Sequence, residues 1–144
     1  MTDSTLQQAA EELAVRGQIT RLSALTDNGD LDEYQSLFTE DAVWLMEAGP
    51  GQPEAQPIRG AATIRAAGQA RRDQGLAGPG SHKAHVTVVN HVSVDGDKAT
   101  ALSYMTFLVN TDTKPEPAIF RVYHDVWVRA GGGWKLSVRT IEPL

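Results

Sequence analysis

The chain has 144 residues, of which 41% are hydrophobic, carries a formal net charge of −5 and contains no cysteine. This length predicts a single domain over residues 1–144, and the negative charge argues against a nucleic-acid partner. The sequence excludes disulfides and cysteine-ligated metal sites, and it predicts neither a signal peptide nor a membrane span, so we expect a cytoplasmic protein without a membrane partner.

The beginning of the chain predicts two helices. Ser4 and Gln7 resemble a capping box, and apolar residues at helical spacing then predict a helix over residues 5–25. Gly29 is expected to end this helix, because glycine is the preferred residue just beyond a helix C-terminus. Asp30 is expected to cap a second, shorter helix that carries leucine and aromatic residues on one face.

A short strand and a third helix are predicted next. Residues 39–41 are expected to end the second helix, and residues 42–46 are typical of a strand. Residues 49–57 contain two glycines and three prolines, which is typical of a loop. A third helix is predicted over residues 61–73, and residues 75–80 predict a further loop. This half of the chain therefore supplies three helices and one strand.

The second half of the chain predicts four strands, over residues 84–94, 99–110, 118–129 and 134–141. The Asp-Gly pair ending at Gly96 is the clearest hairpin turn, because glycine adopts a positive φ at low cost. Consecutive strands joined by short turns predict an antiparallel meander. A curved sheet with the helices packed over one face is the economical way to bury these patterns, so the predicted fold class is α+β.

Five short segments, taken in order, are typical of one protein family. They are LFTEDAVW at 37–44, IRG at 58–60, VDGDKA at 94–99, YHDVWVR at 123–129 and GWKL at 133–136. Together they resemble the SnoaL-like family of the nuclear-transport-factor-like superfamily. That superfamily includes ketosteroid isomerases, scytalone dehydratase, polyketide cyclases, a dehydrochlorinase and the small subunits of ring-hydroxylating dioxygenases.

The resemblance covers nearly the whole chain and implies one SnoaL-like domain. Its fold is a cone-shaped α+β structure in which a curved antiparallel sheet wraps around helices and leaves an apolar pocket open at one end. Related cones associate through the sheet, so the resemblance also implies a homodimer or homotrimer. The fold hosts many reactions and does not by itself predict which one occurs.

The resemblance also singles out a pair of candidate catalytic residues, Asp27 and His85. In the dehydratase and dehydrochlorinase members an aspartate after the first helix pairs with a histidine on a strand, and these two residues match by spacing. Such a carboxylate holds one imidazole nitrogen and leaves the other free as a base. Family members often carry an asparagine four residues after the histidine, where this chain has Val89, so its pocket polarity is expected to differ. The alternatives are a helix-end turn residue and an ordinary buried histidine.

Several other side chains are candidates for lining the pocket. Ordinary core or intersubunit packing is the alternative for each of them. Asp125 belongs to this group, but we favour a structural ion pair with Arg121, Arg129 or Arg139 across the sheet. Trp127 is a further candidate. The predicted substrate-binding residues are Tyr34, Trp44, Met46, Tyr104, Thr106, Phe120 and Tyr123.

No metal site and no cofactor are predicted. His82 and His85 are three residues apart, which on a strand directs their side chains to opposite faces. We expect His82 to be exposed in a loop. Arg65, Arg71 and Arg72 form the one basic cluster and are interpreted as the solvated face of the third helix.

The sequence therefore predicts a small cofactor-independent lyase or isomerase. It is expected to act on a hydrophobic small-molecule substrate by Asp–His acid–base proton abstraction. Three alternatives remain open: a non-catalytic module that binds a hydrophobic ligand, an accessory subunit of a ring-hydroxylating dioxygenase, and a polyketide-cyclase-like aldol catalyst.

Overall fold

A computed structural model describes residues 2–144 of the chain. Three helices and six strands form one α+β unit, in agreement with the predicted fold class. The elements in chain order are α1 (Asp3–Asn28), α2 (Leu31–Ser36), β1 (Phe38–Met46), β2 (Ile58–Arg59), α3 (Ala61–Asp73), β3 (Ala84–Asp95), β4 (Lys98–Val109), β5 (Glu116–Ala130) and β6 (Gly133–Glu142).

The six strands form one open, curved sheet in the order β2-β1-β6-β5-β4-β3. The predicted antiparallel meander is present from β3 to β6, and β1 adds to its free edge in parallel to β6. The strand pairing shifts register between Val89 and His91 and again between Phe107 and Leu108. Irregularities of this kind bend a strand and increase its twist, which accounts for the curvature of the sheet.

Helix α1 begins two residues earlier and ends three residues later than the predicted range of residues 5–25. Its N-cap is Thr2, whose Oγ1 accepts a hydrogen bond from the Thr5 backbone N–H at 3.2 Å, so the predicted capping box at Ser4 is not formed. At the other end the helix runs to Asn28. Asp27 therefore lies within the last helical turn, and this turn directs its side chain toward the sheet.

Strand β1 also differs from the prediction. It begins at Phe38, four residues before the predicted start, although Phe38 was expected to belong to the second helix. The pairing of β1 with β6 shifts register between Phe38 and Val43, so the polar residues 39–41 lie in an irregular part of the strand. In contrast, Asp30 caps α2 as expected: its Oδ1 accepts from the backbone N–H groups of Asp32 and Glu33, each at 2.9 Å.

The core lies between α1 and the concave face of the sheet. Ile19 and Leu22 of α1 and Ile64 of α3 are fully buried together with Trp127 and Leu136 of the sheet. The middle of α1 therefore fills one end of the cone, while its last turns border open space at the other end. Within residues 2–144 no helix combines the length and apolar composition needed to cross a lipid bilayer.

Candidate functional site

Asp27 and His85 are in direct contact. The Asp27 Oδ1 lies 2.7 Å from the His85 Nδ1, and Oδ2 of the same carboxylate accepts a hydrogen bond from the His85 backbone N–H at 2.8 Å. Their side chains are only 19% and 15% exposed. Because a carboxylate can only accept hydrogen bonds, the contact requires a proton on Nδ1. The neutral imidazole therefore has an unprotonated Nε2, the arrangement that a general base needs.

Neighbouring side chains fix the orientation of His85. The Ser23 hydroxyl, one helical turn before Asp27, donates a hydrogen bond to the His85 carbonyl oxygen at 3.1 Å. The same hydroxyl lies 3.1 Å from the Thr87 Oγ1. On its other side the imidazole packs against the Phe107 ring, with 4.8 Å between ring centroids. Helix α1 thus holds the start of β3 through Ser23 and Asp27. Each of the two contacts the backbone of His85 and one side chain of β3.

His85 forms part of the wall of a cavity of about 330 Å³. This volume is at the lower end of the range of small-molecule sites, roughly 300–1,000 Å³, and suits a molecule of one or two rings. Its walls come from the last turns of α1, from α2 and α3, and from the concave face of β1 and β3–β6. The apolar walls include Ile19, Leu31, Ile64, Met105, Phe107 and Ile141.

Four of the predicted pocket residues, Tyr34, Trp44, Met46 and Tyr123, line this cavity. They come from α2, β1 and β5, three elements that are distant in sequence. Tyr34 and Tyr123 are almost fully buried, whereas Met46 is 43% exposed, so the cavity opens near the end of β1. These four side chains are therefore available to a bound molecule.

The other three predicted pocket residues, Tyr104, Thr106 and Phe120, do not line the cavity, and this part of the prediction is corrected. Side chains alternate between the two faces of a strand, and Met105 and Phe107 are the β4 residues that face inward. Tyr104 and Phe120 instead contact each other on the convex face, with ring centroids 5.4 Å apart.

Asp125 and Trp127 are also absent from the cavity wall among the described residues. Asp125 forms the favoured cross-strand ion pair, and its partner among the three candidates is Arg139: Nε donates to Oδ1 and Nη2 to Oδ2, both at 2.8 Å. Both side chains are buried, and the fully buried Trp127 packs beside them. Arg129 instead pairs with Glu11 and Asp97 on the rim of the sheet.

The buried ion pair keeps Arg139 charged and at the same time neutralises its charge. Burial opposes the charge on Arg139, but the Asp125 carboxylate more than offsets this, so the pKa of Arg139 lies above its usual value. The guanidinium also lies over the Tyr123 ring, 4.1 Å from its centroid. Arg139 therefore reaches the cavity as a cation whose charge is already neutralised by a neighbour.

Burial raises the pKa of both Tyr34 and Tyr123 above the ordinary tyrosine value of 10.0. We expect both phenols to stay protonated in the folded protein as the pH passes about 10. Since the unfolded chain loses these protons first, the stability contributed by the two tyrosines is intact below that pH and is lost as the pH rises through the folded-state pKa values. Ultraviolet difference titration of wild type, Tyr34→Phe and Tyr123→Phe measures this. Ionisation of either residue near pH 10 while the protein is still folded would contradict it.

The basic cluster of α3 is a solvated face only in part: Arg71 is exposed as predicted, but it also borders the cavity, and Arg72 is partly buried. Arg71 and Arg72 line the cavity, and only Arg65 pairs at the surface, with Asp32. The helical spacing of Ile64, Gly68 and Arg71 places them on one face, so the sequence pattern already indicated that Arg71 shares a face with a buried residue. The charge of Arg71 obscured it, because a cation is an unusual neighbour for an apolar wall.

The remaining histidines lie outside the cavity wall. His82 is exposed, as predicted, and its Nδ1 lies 3.7 Å from the Asp112 Oδ2. His91 is exposed on β3, and the half-exposed His124 contacts Glu142. Within residues 2–144 no three His, Asp or Glu side chains converge in a way that would hold a metal ion.

A sequence model described as a SnoaL-like domain matches residues 7–140. No curated protein sequence matches the chain at a significant level. Several solved structures resemble it, although at low identity. An NTF2-like protein with a cystatin-like fold from Novosphingobium aromaticivorans is 22% identical, with a TM-score of 0.82, over 98% of this chain and 86% of that one.

Two further solved structures show the same fold. A protein of unknown function from Mycobacterium tuberculosis is 21% identical, with a TM-score of 0.78, over 95% of this chain and 73% of that chain. A second Novosphingobium aromaticivorans protein, assigned only provisionally as an aromatic ring hydroxylase, is 22% identical, with a TM-score of 0.68, over 94% and 90% of the two chains. At these identities the likeness extends to the architecture of a curved sheet around helices and no further.

Proposed function

Because the chain belongs to the SnoaL-like domain family, we propose that it is a small acid–base enzyme, a lyase or isomerase that needs no cofactor. Its substrate is a hydrophobic small molecule that fits the cavity. The observation that carries the proposal is the double contact of the Asp27 carboxylate with the backbone and ring of His85. Such a contact fixes the tautomer of a histidine that borders an apolar cavity, and this is the arrangement that proton abstraction requires.

In the proposed reaction, Nε2 of His85 removes a proton from a carbon next to an acidifying group of the substrate. The electron pair then expels a leaving group, as in a lyase, or takes up a proton at another position, as in an isomerase. The Nδ1–H stays bonded to Asp27, and the carboxylate stabilises the imidazolium. Within the described residues no protein group accepts or donates at Nε2, so it is open to a substrate. A positioned base of this kind contributes about 10²–10⁴-fold to the rate.

The cavity supports the same proposal by its polarity. Apolar walls exclude water and strengthen the electrostatic interactions of the few polar groups that remain. The phenols of Tyr34 and Tyr123 lie in this wall and, because burial raises their pKa, they are neutral hydrogen-bond donors. A phenol that donates to a developing oxyanion stabilises the charge that proton abstraction creates.

A second candidate function is an accessory subunit of a larger oxygenase. It is favoured by the convex face of the sheet, where Val86 and Val88 are 46% and 58% exposed beside Tyr104 and Phe120. An apolar surface of this kind is typical of a protein contact. Co-purification with a larger iron-containing chain would favour this candidate. Otherwise the same face would serve the homodimer or homotrimer that we propose for a cytoplasmic enzyme.

The proposed reaction is tested by hydrogen–deuterium exchange at carbon. Two suitable compounds are β-tetralone and phenylpyruvate, since each combines an aromatic ring with C–H groups that a carbonyl acidifies. Proton NMR in deuterium oxide measures how fast these hydrogens are lost. We expect the wild-type protein to accelerate the exchange and His85→Ala to lose about 10²–10⁴-fold of that acceleration.

The matched control is His91→Ala, because His91 lies on the same strand but is exposed and outside the cavity wall. This variant should exchange both compounds at the wild-type rate. Circular dichroism establishes that each variant is folded. Equal rates for His85→Ala and wild type would contradict the proposal, as would a wild-type protein that accelerates the exchange of neither compound.

A further inference from the structure

The cavity wall carries charge of a single sign. Four arginines reach it, Arg71 and Arg72 from α3, Arg121 from β5 and Arg139 from β6. Among the described residues that line the cavity there is no aspartate or glutamate. This local excess of positive charge contrasts with the formal net charge of −5 on the whole chain. The cavity wall is therefore more positive than the chain as a whole.

Two of the four guanidinium groups are already occupied by protein partners. Arg139 forms the bidentate ion pair with the buried Asp125. Arg72 donates to three backbone carbonyls at the end of α1, those of Gly29 at 2.8 Å, Leu25 at 2.9 Å and Thr26 at 3.3 Å. These carbonyls are the negative end of the helix dipole, so they neutralise part of the charge on Arg72.

The other two guanidinium groups remain available. Arg121 uses Nη1 to donate to the Phe120 carbonyl at 2.7 Å and forms no ion pair with a described residue. Arg71 has neither a hydrogen bond nor an ion pair to any group within residues 2–144. Both line the cavity where solvent reaches it, because Arg71 is exposed and Arg121 is partly exposed. Met46 and Ile119, which also line the cavity, are 43% and 42% exposed. The interior beyond them is apolar, so the available cations stand at the entrance to an apolar space.

We propose that the cavity binds a small apolar acid, with its ring system in the interior and its carboxylate at the entrance on Arg71 and Arg121. This assignment rests on the proposed function, since it names the substrate class of the same site. A guanidinium is planar and presents paired N–H donors that match the two oxygens of a carboxylate. Binding at the entrance directs the ring of the acid inward, toward His85 and Phe107.

The assignment is tested by calorimetric titration with β-naphthoate and with its amide, β-naphthamide. The two compounds have nearly the same shape and the same apolar ring system, and only the naphthoate is charged at neutral pH. We expect the wild-type protein to bind the naphthoate more tightly than the amide. Since a hydrogen bond to a charged group contributes about 10- to 100-fold in affinity, Arg71→Gln should weaken naphthoate binding by about that factor and leave amide binding nearly unchanged.

The matched control is Arg59→Gln, which removes the same charge from an exposed arginine of β2 that is not part of the cavity wall. It should leave both affinities unchanged, and the double variant Arg71→Gln/Arg121→Gln should bind the two compounds equally. Equal wild-type affinity for both compounds, binding of neither, or the same loss in Arg71→Gln and Arg59→Gln would overturn the assignment.

This outcome is separate from that of the exchange experiment. A protein that prefers the naphthoate through Arg71 but accelerates no carbon–hydrogen exchange would contradict catalysis and retain the anion site. A protein that exchanges hydrogens through His85 but shows no preference for the naphthoate would retain catalysis and lose the anion site.

Discussion

Replacing Asp27 with asparagine should move the imidazole proton of His85 from Nδ1 to Nε2 and lower proton abstraction by about 10²–10⁴-fold. The two contacts of the carboxylate give the reason. The His85 backbone N–H needs an acceptor, so the single oxygen of the amide is expected to take that contact. Its NH₂ group then faces Nδ1, which must accept and cannot keep its proton. Nε2 becomes protonated and can no longer act as a base.

Nitrogen-15 NMR of the imidazole measures this change directly, without a substrate. The wild-type His85 should give a protonated Nδ1 and an unprotonated Nε2, and Asp27→Asn should show the reverse. The matched control is Asp30→Asn, because Asp30 caps α2 and asparagine is an equally good cap. An unchanged tautomer in Asp27→Asn, or a tautomer change without any loss of exchange activity, would contradict the role given to Asp27.

Removing the Asp125 carboxylate should destabilise the protein by about 3–5 kcal/mol, because it leaves the Arg139 guanidinium buried without a counter-charge. Asp125→Ala is the variant that tests this. Replacing both residues, as in Asp125→Leu/Arg139→Met, should recover much of the loss, since neither partner then remains as an uncompensated buried charge. Urea denaturation measures the free energy of unfolding of each protein. The comparison requires that the dependence of this free energy on urea concentration be the same for all the variants.

The exposed pair of Arg65 and Asp32 supplies the control for this experiment. Asp32 is 81% exposed, so Asp32→Ala should cost less than about 1 kcal/mol. The argument from burial would be wrong if Asp125→Ala and Asp32→Ala had similar effects, or if the double variant were as unstable as Asp125→Ala. Because Arg139 also reaches the cavity, the double variant should change the cavity wall as well as the stability.

The local sequence predicts most of the secondary structure for identifiable reasons. The third helix is found over the predicted residues 61–73 because its start follows Gly60, whose φ of +93° suits glycine and marks the turn before the helix. The hairpin at Gly96 forms for a similar reason. The prediction fails at Phe38, where pairing with β6 draws a residue of helical spacing into a strand. Contact with a distant strand outweighs local preference at such a position.

For the candidate site, the family resemblance predicts one of the two contacts between Asp27 and His85, and the structure reveals the other. The match of Asp27 and His85 to the family pattern predicts their contact, which the structure contains at 2.7 Å. Their catalytic role stays a prediction. The pattern does not contain the second contact, between Oδ2 and the His85 backbone, because it depends on where the last turn of α1 meets the first residues of β3.

The sequence by itself determined the α+β class and the order of the three helices and of every strand except the two-residue β2, and its family resemblance predicted the contact of Asp27 with His85. Only the tertiary structure decided which side of each strand faces the cavity. On β4 it is the side of Met105 and Phe107, and Tyr104 and Thr106 lie on the other side. A strand pattern with period two defines two faces but does not label them when both carry apolar residues. The same reason applies to Arg71 and Arg139: a neighbour far away in sequence determines whether a charge is solvated, neutralised or left open to a ligand.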